Sequence, residues 1–70
     1  METSARNQLE GTVLSVSLGA VMAEVTIDVN GATIVAAITK ESAERLGLAK
    51  GQAVGALVKA TDVMIGIASV

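Results

Sequence analysis

The chain has 70 residues, which is enough for one small domain spanning residues 1–70. It contains neither cysteine nor histidine, so disulfides, thiolate metal sites and the commonest acid–base residue at neutral pH are excluded. Seven acidic residues outnumber five basic ones, which argues against a nucleic-acid binder with a general basic face. This charge balance still allows a local positive site for a small anion.

Phenylalanine, tyrosine and tryptophan are absent, although 51% of the residues are apolar. A short chain without large aromatic side chains builds only a small core, so we expect subunits to bury one another's apolar faces. The N-terminus lacks the basic and apolar pattern of a signal peptide. The apolar stretch at residues 63–70 is too short to cross a bilayer, which favours a soluble, cytoplasmic protein without a membrane partner.

The first half of the chain shows the alternation of apolar residues that is typical of β-strands. Leu9–Leu18 carries aliphatic residues on both faces, which suits a strand covered on each side. Gly19–Ala20 predicts a short turn, and Val21–Val29 predicts a second strand with one polar face. Asn30–Gly31 tolerates positive φ and predicts a tight hairpin into a third strand over Ala32–Ile38.

A change of period after the third strand predicts one short helix. Lys40–Leu46 has apolar residues at helical spacing. Thr39 is a candidate N-cap, Ser42 is an alternative one, and Gly47 is well placed just beyond the C-terminus of the helix.

Two further strands are predicted after the helix. Lys50–Gly51 predicts a turn, and Ala53–Lys59 alternates as a fourth strand that Thr61–Asp62 ends. Val63–Ile67 predicts a fifth strand, with Gly66 at a bulge. Five strands with one short helix between the third and fourth define an all-β fold of the five-stranded OB-like barrel type.

Hydrogen-bond donors that suit an oxyanion occur in three separate segments of the chain. The candidate site residues are Ser4 and Arg6, Thr39 and Ser42, and Lys59, Ala60 and Thr61. The arginine and the lysine supply charge, the hydroxyl groups supply donors, and free main-chain N–H groups are expected at the helix start and the strand end. Each residue also has a plain structural alternative as an ion-pair partner, a solvated strand end or a helix cap, and periodicity does not separate these readings.

Catalysis is not expected from this sequence. Without histidine or cysteine, no nucleophile–base pair is visible. The acidic residues show neither the spacing of paired catalytic carboxylates nor that of metal ligands, so we predict no metal bound directly by protein side chains. The protein is therefore expected to be a binding protein and not an enzyme.

Four segments of the chain closely resemble the molybdate-binding Mop proteins, or molbindins. They are Ser4–Leu9, Leu18–Val25, Ala37–Ala43 with Leu46–Leu48, and Ala56–Val63. The similarity covers nearly the whole chain, in order and with compatible spacing, and the four segments together are specific where any one alone is weak. The match is to the free-standing form of this single domain.

The resemblance implies an OB-type fold that assembles as a hexamer, a trimer of dimers. It also implies molybdate or tungstate bound in pockets between subunits for intracellular storage or homeostasis of molybdenum, with no organic cofactor. The residues that match the family's binding positions are Ser4 and Arg6, Thr39 and Ser42 from a neighbouring chain, and Lys59, Ala60 and Thr61. Threonine at the last position replaces the serine of many relatives and keeps the hydroxyl group.

Two other functions are considered beside this one. A nucleic-acid-binding OB module normally needs aromatic stacking residues and a basic groove, and this chain has neither. A structural oligomerisation module without a ligand would use Arg6 and Lys59 as ion-pair partners at an interface. Under the molybdate hypothesis the short N-terminal arm is ordered, because it carries Arg6 into the site.

Overall fold

The computed structural model describes residues 2–68 and consists mostly of β-strands with one short helix. The strands are β1 (Asn7–Leu18), β2 (Met22–Val29), β3 (Ala32–Thr39) and β4 (Ala53–Val58), the helix is α1 (Lys40–Leu46), and a 3-10 turn follows at Ala60–Asp62. The helix lies between β3 and β4 in the chain. The observed bounds of these four strands differ from the predicted ones by at most two residues, and the bounds of the helix agree.

The long first strand organises the sheet because it pairs with two neighbours. The four strands form one antiparallel sheet in the order β3-β2-β1-β4. The first half of β1 pairs with β4, from Asn7 opposite Val58 to Thr12 opposite Ala53. Its second half pairs with β2 and ends with Leu18 opposite Ala23. The two ends of β1 therefore lie against different parts of the chain.

A β-bulge between Val13 and Ser15 changes which side chains of β1 face the core. Val13 is buried, and beyond the bulge Val16 packs against the same cluster. Strict alternation along Leu9–Leu18 would put Val13, Ser15 and Ser17 on one face, and this pattern does not hold for the second half of the strand. One extra residue shifts the phase of a strand by one position, and sequence alternation alone does not reveal such a shift.

The core is small and aliphatic. Val13, Val25 and Ile27 are buried together, and partly buried residues of all four strands and of the segment after the helix pack around them. Ala23 and Ala43 are also buried. The predicted inward face of β2 is confirmed by these positions. No polar or charged residue is buried within residues 2–68.

Turns and caps follow the predicted residues. Asn30 and Gly31 adopt φ values of 49° and 88°, which closes the hairpin between β2 and β3. Thr39 caps the helix, because its Oγ1 accepts a hydrogen bond from the backbone N–H of Ser42 at 3.1 Å. Gly47 ends the helix in the left-handed conformation at φ 61°. These local predictions are confirmed.

The predicted fifth strand does not form within the described chain. The sheet has four strands, and Val63–Ile67 lies in no ladder. Met64, Ile65 and Ile67 are 92%, 88% and 94% exposed, so this segment does not pack on its own domain. Alternation predicts an extended backbone, but a strand also needs a partner edge, and the pattern carries no information about that edge.

An apolar cleft of about 570 Å³ opens between β3 and β4, the two outer strands of the sheet. We refer to it as the β3–β4 cleft. It is lined mainly by apolar side chains of β2, β3 and β4, together with Leu46 and Leu48. Because β3 and β4 do not pair with each other in the described chain, the sheet is open along this cleft.

The closest approach of β1 to β2 requires glycine at position 11. A Cβ atom on Gly11 would overlap the backbone carbonyl oxygen of Asp28 and crowd the side chains of Ile27 and Val29. The nearest atom belongs to the backbone of β2, which cannot move aside as a flexible side chain can. Gly11 therefore sets how tightly the two strands pack near the middle of the sheet.

Replacing Gly11 by alanine is expected to lower the free energy of unfolding by about 1–3 kcal/mol, because the added methyl group must displace backbone of β2. Ser17→Ala, at an exposed position of the same strand, is expected to change it by less than about 0.5 kcal/mol. Denaturant unfolding at one fixed protein concentration measures both values. Equal stability of Gly11→Ala and the unmodified protein would contradict the close approach of the strands.

Candidate anion site

Two cationic residues lie at the end of the ladder where β1 begins and β4 ends. Asn7 pairs with Val58 as the last pair of the antiparallel ladder. Arg6 immediately precedes this pair and Lys59 immediately follows it, so the two segments leave the ladder at the same end. Both side chains are exposed. The fold thus joins two of the predicted segments, although they are more than fifty positions apart in the sequence.

Hydroxyl and main-chain donors lie within two residues of these two cations in the sequence. Ser4 lies two residues before Arg6, and Thr61 lies in the 3-10 turn that follows Lys59. In that turn the N–H of Asp62 donates to the Lys59 carbonyl oxygen at 2.9 Å. The N–H groups of the first two turn residues, Ala60 and Thr61, have no acceptor within the turn itself. This end of the domain therefore carries charge, hydroxyl groups and main-chain donors together.

No carboxylate neutralises the two cations within residues 2–68. Among these residues, the salt bridge that forms joins Lys40 to Glu44 on the exposed surface of the helix, at 3.9 Å. Arg6 and Lys59 have no acidic partner among the described residues. Arg45 and Lys50 also have no ion-pair partner among these residues. The placement of Arg6 and Lys59 at one end of the ladder, and not the missing carboxylate, therefore marks this end as a candidate site for an anion.

Hydrogen bonds from side chains hold the N-terminal arm. The Nδ2 of Asn7 donates to the Val58 carbonyl oxygen at 3.2 Å, and the Nε2 of Gln8 donates to the Ala5 carbonyl oxygen at 3.0 Å. The Ala5 N–H donates to the Thr3 hydroxyl oxygen at 3.2 Å. These contacts agree with the prediction of an ordered arm. The sequence analysis assigned no role to the amide side chains of Asn7 and Gln8. Their position directly after Arg6 is the feature that could have drawn attention to them.

The second set of predicted donors lies at the start of the helix. Thr39 is exposed and Ser42 is half-buried. Their hydroxyl oxygens are 2.8 Å apart, while the Thr39 oxygen also accepts the backbone N–H of Ser42. One hydroxyl proton is used in the contact between the two oxygens. The pair therefore keeps one hydroxyl proton to offer to a ligand.

The two sets of donors lie at opposite ends of β1. Thr39 pairs with Met22 of β2. The next residue of β2, Ala23, pairs with Leu18 at the end of β1. Asn7 and the cations lie at its beginning. Twelve residues of strand separate the ends, a path of about 36 Å when fully extended. One chain thus gathers Ser4, Arg6, Lys59, Ala60 and Thr61, but does not bring Thr39 and Ser42 to them.

Other kinds of site are absent from the described part of the chain. Residues 2–68 contain no group of three or more acidic, histidine or cysteine side chains placed to hold a metal ion. Across the same residues, no helix has the length and apolar character needed to cross a membrane. The donors at the end of β1 are therefore the leading candidate for a functional site.

Comparisons with known proteins identify the family to which this chain belongs. A TOBE domain profile matches residues 3–65. Molybdenum-pterin-binding protein 2 of Clostridium pasteurianum is 46% identical over 66 residues, which are 93% of this chain and 97% of the relative. A molybdate-binding protein structure from Sporomusa ovata matches with a TM-score of 0.91 at 45% identity, covering 96% of this chain and 100% of that one.

A third comparison concerns a protein of about twice the length. The cytoplasmic molybdate-binding protein ModG, solved with molybdate bound, matches with a TM-score of 0.89 at 42% identity. The match covers 97% of this chain and 49% of that one. The chain belongs to the TOBE-domain family and, within it, to the Mop proteins, which confirms the resemblance seen in the sequence. These relatives are named for a ligand and not for a reaction.

The cap geometry separates the roles of the two hydroxyl residues. Thr39→Val is expected to lower the free energy of unfolding of the ligand-free protein by about 1 kcal/mol, because it removes the oxygen that accepts the Ser42 N–H. Ser42→Ala keeps that N–H and should cost less than about 0.5 kcal/mol. Chemical denaturation at matched protein concentration compares them. Equal losses for the two variants would show that the cap does not work as described.

Proposed function

We propose that this protein binds molybdate or tungstate as an intact oxyanion in pockets between subunits. The binding serves storage or homeostasis of molybdenum in the cytoplasm, without catalysis and without an organic cofactor. The observation that carries the proposal is the pair of adjacent cations, Arg6 and Lys59, that no carboxylate neutralises among residues 2–68. The predicted contacts to the anion are Ser4, Arg6, Thr39, Ser42, Lys59, Ala60 and Thr61.

The chemistry of these groups matches a tetrahedral dianion. Such an anion offers only acceptor oxygens, and every proposed contact is a donor. Two positive side chains balance its two negative charges, which limits the free-energy cost of removing it from water. Each charge-assisted hydrogen bond contributes roughly 1.5–3 kcal/mol. Arginine adds a planar fork of N–H groups that can contact two oxygens of the anion at once.

The position of the donors calls for a second chain. Thr39 and Ser42 lie at the end of β1 that is remote from Arg6, so one chain supplies only part of the donor set. A neighbouring subunit that brings its helix start to the cations completes the pocket. Anion binding then stabilises the assembly, because the ligand binds the oligomer and not the separate chains.

The relatives support the choice of ligand. One similar structure is described as molybdate-binding, and another holds molybdate. The Clostridium relative is named for a molybdenum pterin. The present chain has no aromatic side chain on which a pterin ring could stack, and its donors suit a small inorganic anion. Cytoplasmic location is part of the proposal and is supported by the description of ModG as cytoplasmic.

The exposed segment after the 3-10 turn provides the means of assembly. Val63–Ile67 is apolar and extends away from its own domain, while the β3–β4 cleft is apolar and bordered by two free strand edges. We propose that this segment of one chain enters the cleft of a second copy as the fifth strand of its barrel. Burying each large apolar side chain contributes roughly 1.5–3 kcal/mol. Three such dimers form the proposed hexamer.

The central binding prediction concerns the two cations. Arg6→Ala and Lys59→Ala are each expected to weaken molybdate binding by about tenfold or more, because each removes a charge-assisted hydrogen bond worth about 1.4 kcal/mol or more. Isothermal titration calorimetry with molybdate measures the affinity. Arg45→Ala and Lys50→Ala, which remove the same charges from exposed positions elsewhere, serve as matched controls and should bind as the unmodified protein does.

These titrations, together with a filter-binding assay, distinguish the rival functions. Unchanged affinity in both Arg6→Ala and Lys59→Ala would refute the site assignment. Absence of molybdate and tungstate binding by the unmodified protein would favour a purely structural module. Retention of single-stranded DNA on filters at physiological salt would favour the nucleic-acid alternative, for which the chain has no basic groove or aromatic platform.

The assembly prediction uses the exposed apolar segment. Ile65→Asp is expected to convert the oligomer to monomers at micromolar concentration, because it places a carboxylate in the apolar cleft of the partner. Ala32→Asp adds the same charge at an exposed strand end outside the cleft and should leave the oligomer intact. Sedimentation velocity measures both masses. An unchanged oligomer of Ile65→Asp would exclude this segment from the interface.

A further inference from the structure

We propose that Asn7 is a positioning residue of the anion site, which holds the segments carrying Arg6 and Lys59 at a fixed separation. This inference rests on the proposed function, because it concerns the geometry of the same pocket. Asn7 itself needs no contact with the anion. Its amide acts on the backbone of the opposite strand, next to the residues that bind.

The geometry of one hydrogen bond carries the proposal. The Nδ2 of Asn7 donates to the carbonyl oxygen of Val58 at 3.2 Å, across 51 positions of sequence, and the contact is part-buried. Arg6 directly precedes Asn7 in the chain, and Lys59 directly follows Val58. Each cation is therefore the chain neighbour of one partner in this hydrogen bond. The side chain thus adds a further link between the two strands at the last pair of the backbone ladder.

Electrostatics explain why the end of this ladder needs an additional link. Arg6 and Lys59 carry like charges at the same end of the ladder and have no acidic partner within residues 2–68, so a close approach of the two groups is unfavourable when no anion lies between them. Strand ends also open more readily than strand centres. A side-chain hydrogen bond at the last pair opposes both effects and keeps the pocket formed before the ligand arrives.

The identity of the residue also points to a role for its side chain. Asparagine is disfavoured in strands, yet it occupies the first position of β1. The amide of Gln8 makes a different kind of contact, because it donates to Ala5 three positions away in an exposed region and does not reach β4. Of these two adjacent amide side chains, that of Asn7 is the one that links β1 to β4.

The test compares Asn7→Ala with Gln52→Ala. Gln52 accepts the Ala49 N–H at 3.1 Å in the turn before β4, so its replacement also removes one side-chain hydrogen bond to backbone, but away from the cations. Because Gln52 also lines the β3–β4 cleft, affinities are compared at a protein concentration at which both variants keep the oligomer mass of the unmodified protein. Asn7→Ala is expected to weaken molybdate binding by about three- to tenfold. Gln52→Ala should bind within about twofold of the unmodified protein even when its loss of thermal stability is similar. Asn7→Leu, which keeps a branched side chain without a donor, provides a second variant.

Calorimetric titration, with thermal unfolding and oligomer mass measured on each variant, gives distinguishable outcomes. Weakened binding in a folded, assembled Asn7→Ala or Asn7→Leu, with Gln52→Ala unaffected, supports the positioning role. Unmodified affinity in the Asn7 variants overturns it, and so does failure of both variants to fold, which would make Asn7 a general stability residue. If the unmodified protein binds no molybdate, the proposed function itself fails, whatever the variants do.

Discussion

The pairing of one long strand with two neighbours is the constraint on which the rest of this structure depends. β1 is twelve residues long, and it pairs with β4 at its beginning and with β2 at its end. The first pairing places Arg6 beside Lys59, and the second places Thr39 at the far end of the strand. The same ladder that assembles one half of the donor set therefore keeps the other half away. An incomplete site and an open, apolar cleft in a single chain are both explained if a second chain completes them.

The charge distribution gives this arrangement its chemical meaning. The chain is mildly acidic as a whole, and its cations would ordinarily be expected to pair with its carboxylates. Among residues 2–68 the ion pair found joins Lys40 to Glu44, and the other four cations have no such partner. Of these four, Arg6 and Lys59 come together at one end of the β1–β4 ladder. Unpaired like charges held close together cost free energy in the absence of a ligand, and an oxyanion relieves that cost when it binds.

Much of this architecture could be predicted from the sequence, and the failures have physical causes. The hairpin at Asn30–Gly31 and the helix cap at Thr39 depend on local backbone chemistry, which a few residues specify. The bulge in β1 was missed because a one-residue phase shift leaves the composition unchanged. The fifth strand was predicted without a partner because alternation records side-chain direction and not hydrogen-bonding edges. The candidate site residues were proposed from their donor chemistry and from the family resemblance, whereas the link from Asn7 to Val58 depends on a register that only the folded chain reveals.

A crystal structure of the protein grown with molybdate tests the central claim most directly. The account predicts an anion at a subunit interface, with Arg6 and Lys59 of one chain and Ser42 of another within hydrogen-bonding distance of its oxygens. An anion bound wholly within one chain, or at a place remote from Arg6, would contradict it.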